Sequence, residues 1–196
     1  MRRIALLLLP LSALAAPAEP LVDFAKLHPR AILDIRYATK NNFTHEAVYP
    51  AAKCLLRESA AKALAAAASD FESMGLRLVV FDCYRPLSVQ KKFWAILPDE
   101  RYVANPAEGS NHNRGAAVDV TLADVQGREL PMPSAYDDSS PRSHRDWKGS
   151  SPAERKNMRL LEAVMLRHGF IGLPTEWWHF DAKNCGDYPV LDVPLR

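Results

Sequence analysis

Two histidines and an aspartate have the types and the setting to hold a metal ion. The stretch Ser110-Asn111-His112-Asn113-Arg114-Gly115-Ala116-Ala117-Val118-Asp119 puts His112 in a glycine-containing turn and Asp119 just inside a following strand-like segment. Glu176-Trp177-Trp178-His179 adds a second histidine, with a carboxylate on the same short segment. Two imidazoles and one carboxylate suit Zn²⁺, and three protein ligands leave a fourth position for water, as a catalytic rather than a structural zinc requires. Water so placed is acidified to a pKa of about 7 and needs a base beside it, a role that Glu176 can fill. Side chains alternate along a strand, so Glu176 and His179 face one site only if the chain bends near Glu176. Gly172 and Pro174, just before it, make room for a bend. A third stretch, Asp82-Cys83-Tyr84-Arg85-Pro86, sets the Arg85 guanidinium at the end of a strand, where it can stabilise an oxyanion.

Each of these residues also has an ordinary reading. The sequence has no HExxH motif, and isolated histidines more often satisfy structural hydrogen bonds than bind metal. Asp119 reads equally as a turn carboxylate, Arg85 as an ion-pair partner, and Trp177 and Trp178 as core aromatics. His168 precedes Gly169 at a helix C-terminus, where partial positive charge is favoured; His28 and His45 lie in polar segments and His144 in a long loop.

The elements that must position these groups follow from pattern. Ala51 to Met74 is alanine-rich, with Leu56, Ala60, Ala63, Leu64, Ala67 and Phe71 at helical steps and Gly75 as a stop, which predicts one long helix. Leu76 to Tyr84 predicts a strand. Pro86 then opens a second helix with Val89, Phe93, Ile96 and Leu97 on one face. Residues 98–115 read as loop, and Ala117 to Leu122 as a strand. Residues 123–150 read as a long ordered loop, rich in Asp, Pro and Ser and without apolar periodicity. Ser151-Pro152-Ala153-Glu154 is a capping box for a third helix that buries Met158, Leu161, Val164 and Met165 and ends at Gly169. Thr175 to Asp181 reads as the last strand. The fold class expected is α+β, a small, mainly antiparallel sheet with helices packed against it and the metal site at the sheet.

Composition narrows the function classes. The chain has 196 residues, 48% hydrophobic and 24% charged, enough for one domain with a sizeable core. Of 25 Lys+Arg against 23 Asp+Glu, the surplus is Arg2 and Arg3 at the very start. No basic excess points to nucleic acid, and no like-charge run to a membrane surface. Met1-Arg2-Arg3, the apolar run Ile4 to Ala16 and the small residues that follow read as a secretory signal over residues 1–18, cleaved within 15–18, before a single domain at 19–196. The run is too short, and too interrupted by Pro10, to span a bilayer, so no membrane insertion is expected after cleavage. Export would leave Cys54, Cys83 and Cys185 in an oxidising compartment, with at most one intrachain disulfide and the pairing open.

Ser-x-His-x-x-Gly-x-Ala-x-Asp from Ser110 to Asp119, together with Glu176-Trp177-Trp178-His179 and Tyr84-Arg85-Pro86, resembles the D-alanyl-D-alanine dipeptidases, zinc metallopeptidases known from vancomycin resistance. The likeness extends to Asp34-Ile35-Arg36-Tyr37-Ala38-Thr39 with Asn42-Phe43, and to Pro131-Met132-Pro133-Ser134-Ala135-Tyr136-Asp137. The resemblance implies His112, Asp119 and His179 as ligands of one zinc per chain, Glu176 as general base and acid, and Arg85 as oxyanion stabiliser. It also implies Asp137 as partner of a substrate ammonium, Ser110 near the substrate peptide and carboxylate, and Tyr37 in the lining of the site. The family commonly has glycine where Cys83 and Pro133 stand. The function expected is zinc-dependent hydrolysis of the small dipeptide D-Ala-D-Ala to two D-Ala. Export would part the enzyme from cytoplasmic dipeptide, so cell-wall fragment turnover or scavenging is expected rather than resistance. The alternatives are a D,D-carboxypeptidase or other wall-peptide hydrolase, and a non-catalytic zinc-binding module that keeps the three ligands without needing Glu176 and Arg85.

Overall fold

A computed structural model describes residues 19–196; the expected signal segment, residues 1–18, lies outside the described residues. In chain order the elements are β1 (Leu21–Asp23), α1 (Phe24–Leu27), β2 (Ile32–Leu33), β3 (Leu55–Arg57), α2 (Glu58–Ser73), β4 (Leu76–Asp82), α3 (Leu87–Ile96), β5 (Ala117–Asp124), α4 (Pro152–Arg167), β6 (Phe170–Gly172) and β7 (His179–Ala182). Strands β2, β4, β5, β7 and β6 form one sheet in that order, antiparallel except for the β2–β4 pair, and β1 pairs with β3 in a separate ribbon. The expected α+β class and mainly antiparallel sheet are what the chain adopts.

Helices α2 and α4 pack on each other and against the sheet, α2 on β4 and α4 on β5 and β6. The periodic residues Leu64, Ala67 and Phe71 of α2 and Leu161 and Met165 of α4 are fully buried. The capping box forms, with the Ser151 hydroxyl accepting from the Glu154 N–H and the Glu154 carboxylate from the Ser151 N–H. On β5, Val118, Val120 and Leu122 point to one face and Asp119 and Thr121 to the other, and all five are buried. A sheet covered on both faces needs a second layer, and the long loop at 123–150 supplies part of it. Its Tyr136 ring lies 4.8 Å from Phe81 and 5.5 Å from Trp178, centroid to centroid.

The sequence reading erred at several boundaries. The helix expected from Ala51 begins at Glu58, because residues 55–57 are taken by tertiary pairing. They form β3 against β1, the Leu55 carbonyl accepts the Tyr84 N–H at 2.9 Å, and the Arg57 guanidinium donates to the carbonyls of Glu19 and Arg114. Alanine-rich helix propensity is worth a few tenths of a kcal/mol per residue and loses to such pairing. Ile96, expected on the buried face of α3, is 55% exposed, since it sits in the last turn of the helix. The short strands β1, β2 and β6 carried no readable alternation. The last strand begins at His179 instead of Thr175.

Cys54 and Cys83 form the one disulfide, and Cys185 is free. The bond closes a loop of 29 residues in sequence separation, a constraint worth ~3–4 kcal/mol on the chain-entropy account. No helix among the described residues is long and apolar enough to cross a membrane.

Candidate active site

His112 begins a single 3-10 turn, His112–Arg114, closed by Gly115 at φ 70°. Glycine suits this left-handed backbone, and a Cβ there would stand 2.3 Å from Leu21 Cδ2 and force that side chain to shift. Asp119 on β5 and His179 on β7 are directly paired across the two antiparallel strands, so their side chains rise from the same face. His112 Nε2, Asp119 Oδ1 and His179 Nδ1 form a triangle with edges of 3.0, 3.2 and 3.3 Å. Donors ~2.0–2.1 Å from a tetrahedral zinc are ~3.3 Å apart, so the triangle has the size such an ion requires. All three residues are buried.

Each candidate ligand is oriented from behind. The carbonyl of Cys83 accepts from His112 Nδ1 at 2.7 Å, which turns Nε2 to the centre. Asp181 Oδ1 lies 3.0 Å from His179 Nε2, which turns Nδ1 to the centre, and the Tyr136 hydroxyl donates to Asp119 Oδ2 at 2.9 Å. Such partners fix ring orientation and ligand basicity. Burial pushes the Asp119 pKa up, but the neighbouring imidazoles outweigh it and hold the carboxyl well below the usual range, ionised and ready to ligate.

The bend that strand alternation demanded is present. Residues 173–178 leave the strand direction, with the Leu173 N–H donating to the His179 carbonyl and the Glu176 N–H to the Leu173 carbonyl, both at 3.3 Å. Glu176 Oε2 then lies 3.9 Å from His179 Nδ1. Burial pushes the Glu176 pKa up to about 7, opposed by His179 and reinforced by Asp119, which suits a group that must both take and give a proton near neutrality.

Arg85 is an ion-pair partner, the ordinary one of its two readings, and it also lines the cavity. Its Nε and Nη2 donate to Asp82 Oδ2 at 3.1 and 2.7 Å, its Nη1 donates to Gln90 Oε1 at 2.8 Å, and the guanidinium lies over the Phe93 ring. Asp82 is fixed in turn by the Tyr49 hydroxyl and the Cys83 N–H, at 2.8 and 2.9 Å. A guanidinium has five N–H donors, so the ion pair leaves donors for the cavity that Arg85 also lines.

Asp137, Ser110 and Tyr37 line the same cavity of about 320 Å³, together with Glu176, Trp178 and the three candidate ligands. Asp137 Oδ1 accepts from the Tyr37 hydroxyl at 2.9 Å and Oδ2 from the Phe43 N–H at 3.2 Å. Burial pushes its pKa up to about 7. Its φ is 62°, a left-handed conformation rare outside glycine, asparagine and aspartate. Ser110 Oγ accepts from the His112 N–H at 3.2 Å. Trp177 and Trp178 are buried, as the core reading had it, yet Trp178 also walls the cavity.

Sequence reasoning missed Tyr136, Asp181 and Asp82. Asp181 had a signal, since it stands two residues after His179 on a strand and so on the same face. Tyr136 had none, because a loop gives no periodicity from which to read its direction.

Comparison with known proteins gives the family. Residues 18–193 match the peptidase family described as D-ala-D-ala dipeptidase. The chain belongs to that family and is a metallopeptidase. The D-alanyl-D-alanine dipeptidase of Escherichia coli (strain K12) is 41% identical over 171 residues, 87% of this chain and 89% of that protein. The D-alanyl-D-alanine dipeptidase of Enterococcus faecalis is 34% identical over 182 residues, 82% of this chain and 86% of that protein. A solved vancomycin-resistance D,D-pentapeptidase in complex with Zn(II) is 17% identical at a TM-score of 0.43, covering 68% of this chain and 75% of its own.

Proposed function

We propose that this chain is an exported zinc dipeptidase that hydrolyses D-Ala-D-Ala to two D-Ala, in cell-wall fragment turnover or scavenging. The observation that carries the reading is the convergence, in one cavity of about 320 Å³, of a zinc-sized donor triangle, a half-buried carboxyl beside it, a guanidinium and a second half-buried carboxyl. The names of the relatives support the substrate. The disulfide supports export, as does the signal-like start of the sequence.

His112, Asp119 and His179 would hold one zinc. When bound, it supplies Lewis acidity, polarising the scissile carbonyl and acidifying the attacking water. Glu176 takes the proton of that water and returns it to the leaving amino group. Arg85 offers its remaining N–H groups to the oxyanion that develops on the carbonyl. Asp137, kept in place by Tyr37 and the Phe43 N–H, receives the free ammonium of the dipeptide. Ser110 stands near the peptide and its carboxylate. A non-catalytic zinc module has no use for Glu176 and Arg85 in the same cavity as the ligands, and their presence there favours an enzyme.

The test is a side-by-side assay of D-Ala-D-Ala, an N-acylated D-Ala-D-Ala and L-Ala-L-Ala. The free D,D-dipeptide is expected to exceed the acylated one by at least ~10²-fold in kcat/KM, because an acylated substrate offers Asp137 no charge. Glu176→Gln is expected to keep zinc and lose ~10²–10⁴ in kcat. Equal release of D-Ala from a muramyl pentapeptide would make the protein a D,D-carboxypeptidase instead.

A further inference from the structure

Glu176 reaches the candidate metal ligands only because residues 173–178 leave the strand direction, and one side chain spans the mouth of that bend. Arg145, from the long loop, donates through Nε to the Leu173 carbonyl and through Nη2 to the His179 carbonyl, both at 2.8 Å. Its backbone N–H donates to the Pro174 carbonyl at 3.0 Å. Nη1 lies 3.3 Å from Glu162 Oε1 on α4, and the guanidinium sits 4.4 Å from the centroid of the Phe180 ring. The side chain is 10% exposed. On the strand side its seat is open only because residue 172 has no side chain: a Cβ there would stand 2.5 Å from Arg145 Cζ. Ser143 braces the same bend, its Oγ donating to the Thr175 carbonyl at 2.7 Å and its carbonyl accepting the Trp177 N–H at 2.9 Å.

A rigid planar fork can bridge two carbonyls at a set separation, which a lysine ammonium on a flexible stem cannot reproduce. The antiparallel pairing of β6 with β7 turns the chain at 173–178, and the Leu173 N–H closes that turn on the His179 carbonyl, so the guanidinium adds a fixed shape to a loop that would otherwise hold Glu176 less firmly. We infer that Arg145 is a positioning residue for Glu176: its guanidinium, seated against Gly172, ties Leu173 to His179 and so fixes the bend that delivers the Glu176 carboxyl to the metal centre. The inference rests on the proposed role of Glu176 and adds the device that places it. Arg145 does not line the cavity, so its effect passes through the bend and not through substrate contact.

The experiment compares zinc-loaded wild type with Arg145→Lys and Gly172→Ala. The first keeps a cation beside Glu162 but loses the fork; the second keeps the arginine and pushes a methyl into its seat. Both are expected to lose ~10- to 100-fold in kcat for D-Ala-D-Ala, with KM changed less than ~3-fold and zinc still at one per chain, since a misplacement of about 1 Å at a catalytic group has effects of that size. Amide hydrogen exchange over residues 175–178 is expected to quicken at least ~10-fold while the β4–β5 ladder keeps its protection. Exchange reads the bend without any turnover, so failure of the wild type to cleave D-Ala-D-Ala removes the proposed function and still leaves the clamp tested. Wild-type exchange over 175–178 in both variants overturns the inference. So does a fall in kcat matched by an equal rise in KM or by loss of zinc, which marks a general structural role.

Discussion

The candidate ligand triangle and the proposed ammonium pocket share one cavity but are held in different ways. Asp119 and His179 are paired across the β5–β7 ladder, and neither can shift without breaking sheet hydrogen bonds. Asp137 sits on a loop at φ 62°, left-handed backbone that aspartate adopts more readily than most non-glycine residues, and the bonds to its carboxyl come from residues 37 and 43, about a hundred positions away in sequence. A site built this way separates its tasks. On the proposed function, the chemistry would rest on the rigid half, and substrate choice on the half that a few loop substitutions can remodel.

The sharpest break of that contrast comes from the rigid half. His179→Ala removes one corner of the triangle and leaves Asp181 without its partner, so zinc content is expected to fall to near zero and kcat/KM by at least ~10³-fold. Zinc analysis of the dialysed protein checks it. Retention of metal and activity in this variant would place the centre elsewhere.

From the loop half, Asp137→Asn is expected to keep one zinc and lose ~10²-fold in kcat/KM for D-Ala-D-Ala, mostly through KM. Burial raises the Asp137 pKa to about 7, so the folded protein holds this proton more tightly than the unfolded chain does. Ionisation as pH rises through about 7 therefore costs fold stability, and the ionised form is the one that pairs with ammonium. KM for the free dipeptide is expected to rise as pH falls below about 7 in the wild type and to stay flat in Asp137→Asn. A KM profile unchanged by the substitution would remove Asp137 from ammonium recognition.

The same division decided what the sequence disclosed. His112, Asp119 and His179 were readable because a glycine turn and two strands fix the direction of their side chains, and strand alternation even required the bend at Glu176. The onset of α2 was misread because Leu55–Arg57 answer to partners at residues 19–23 and 114, which local propensity does not register. The roles of Tyr136 and Arg145 could not be read at all. Both lie on a long loop, and their directions are set by contacts with residues 17 to 34 positions away in sequence. Asp137 entered the reading through family likeness, since nothing in its own neighbourhood singles it out from Asp138.

Tyr136 is where the two halves meet, and it gives the smallest and most discriminating effect. Its hydroxyl donates to Asp119 Oδ2 at 2.9 Å, while its ring packs on Phe81 and Trp178 and its backbone adjoins Asp137. Tyr136→Phe deletes the donor and keeps the ring. Losing an outer partner of a metal ligand weakens affinity by ~10- to 100-fold, and an aspartate already held ionised by two imidazoles should lie at the low end, near ~10-fold. The ring contacts that seat the loop are unchanged, so KM for the dipeptide, measured at saturating zinc, is expected to stay within ~3-fold of wild type. Competition with a metal chelator measures the first quantity and steady-state kinetics the second. If KM rises as far as zinc affinity falls, Asp119 and Asp137 are coupled through Tyr136, and the separation of a rigid chemical half from an adjustable binding half does not hold.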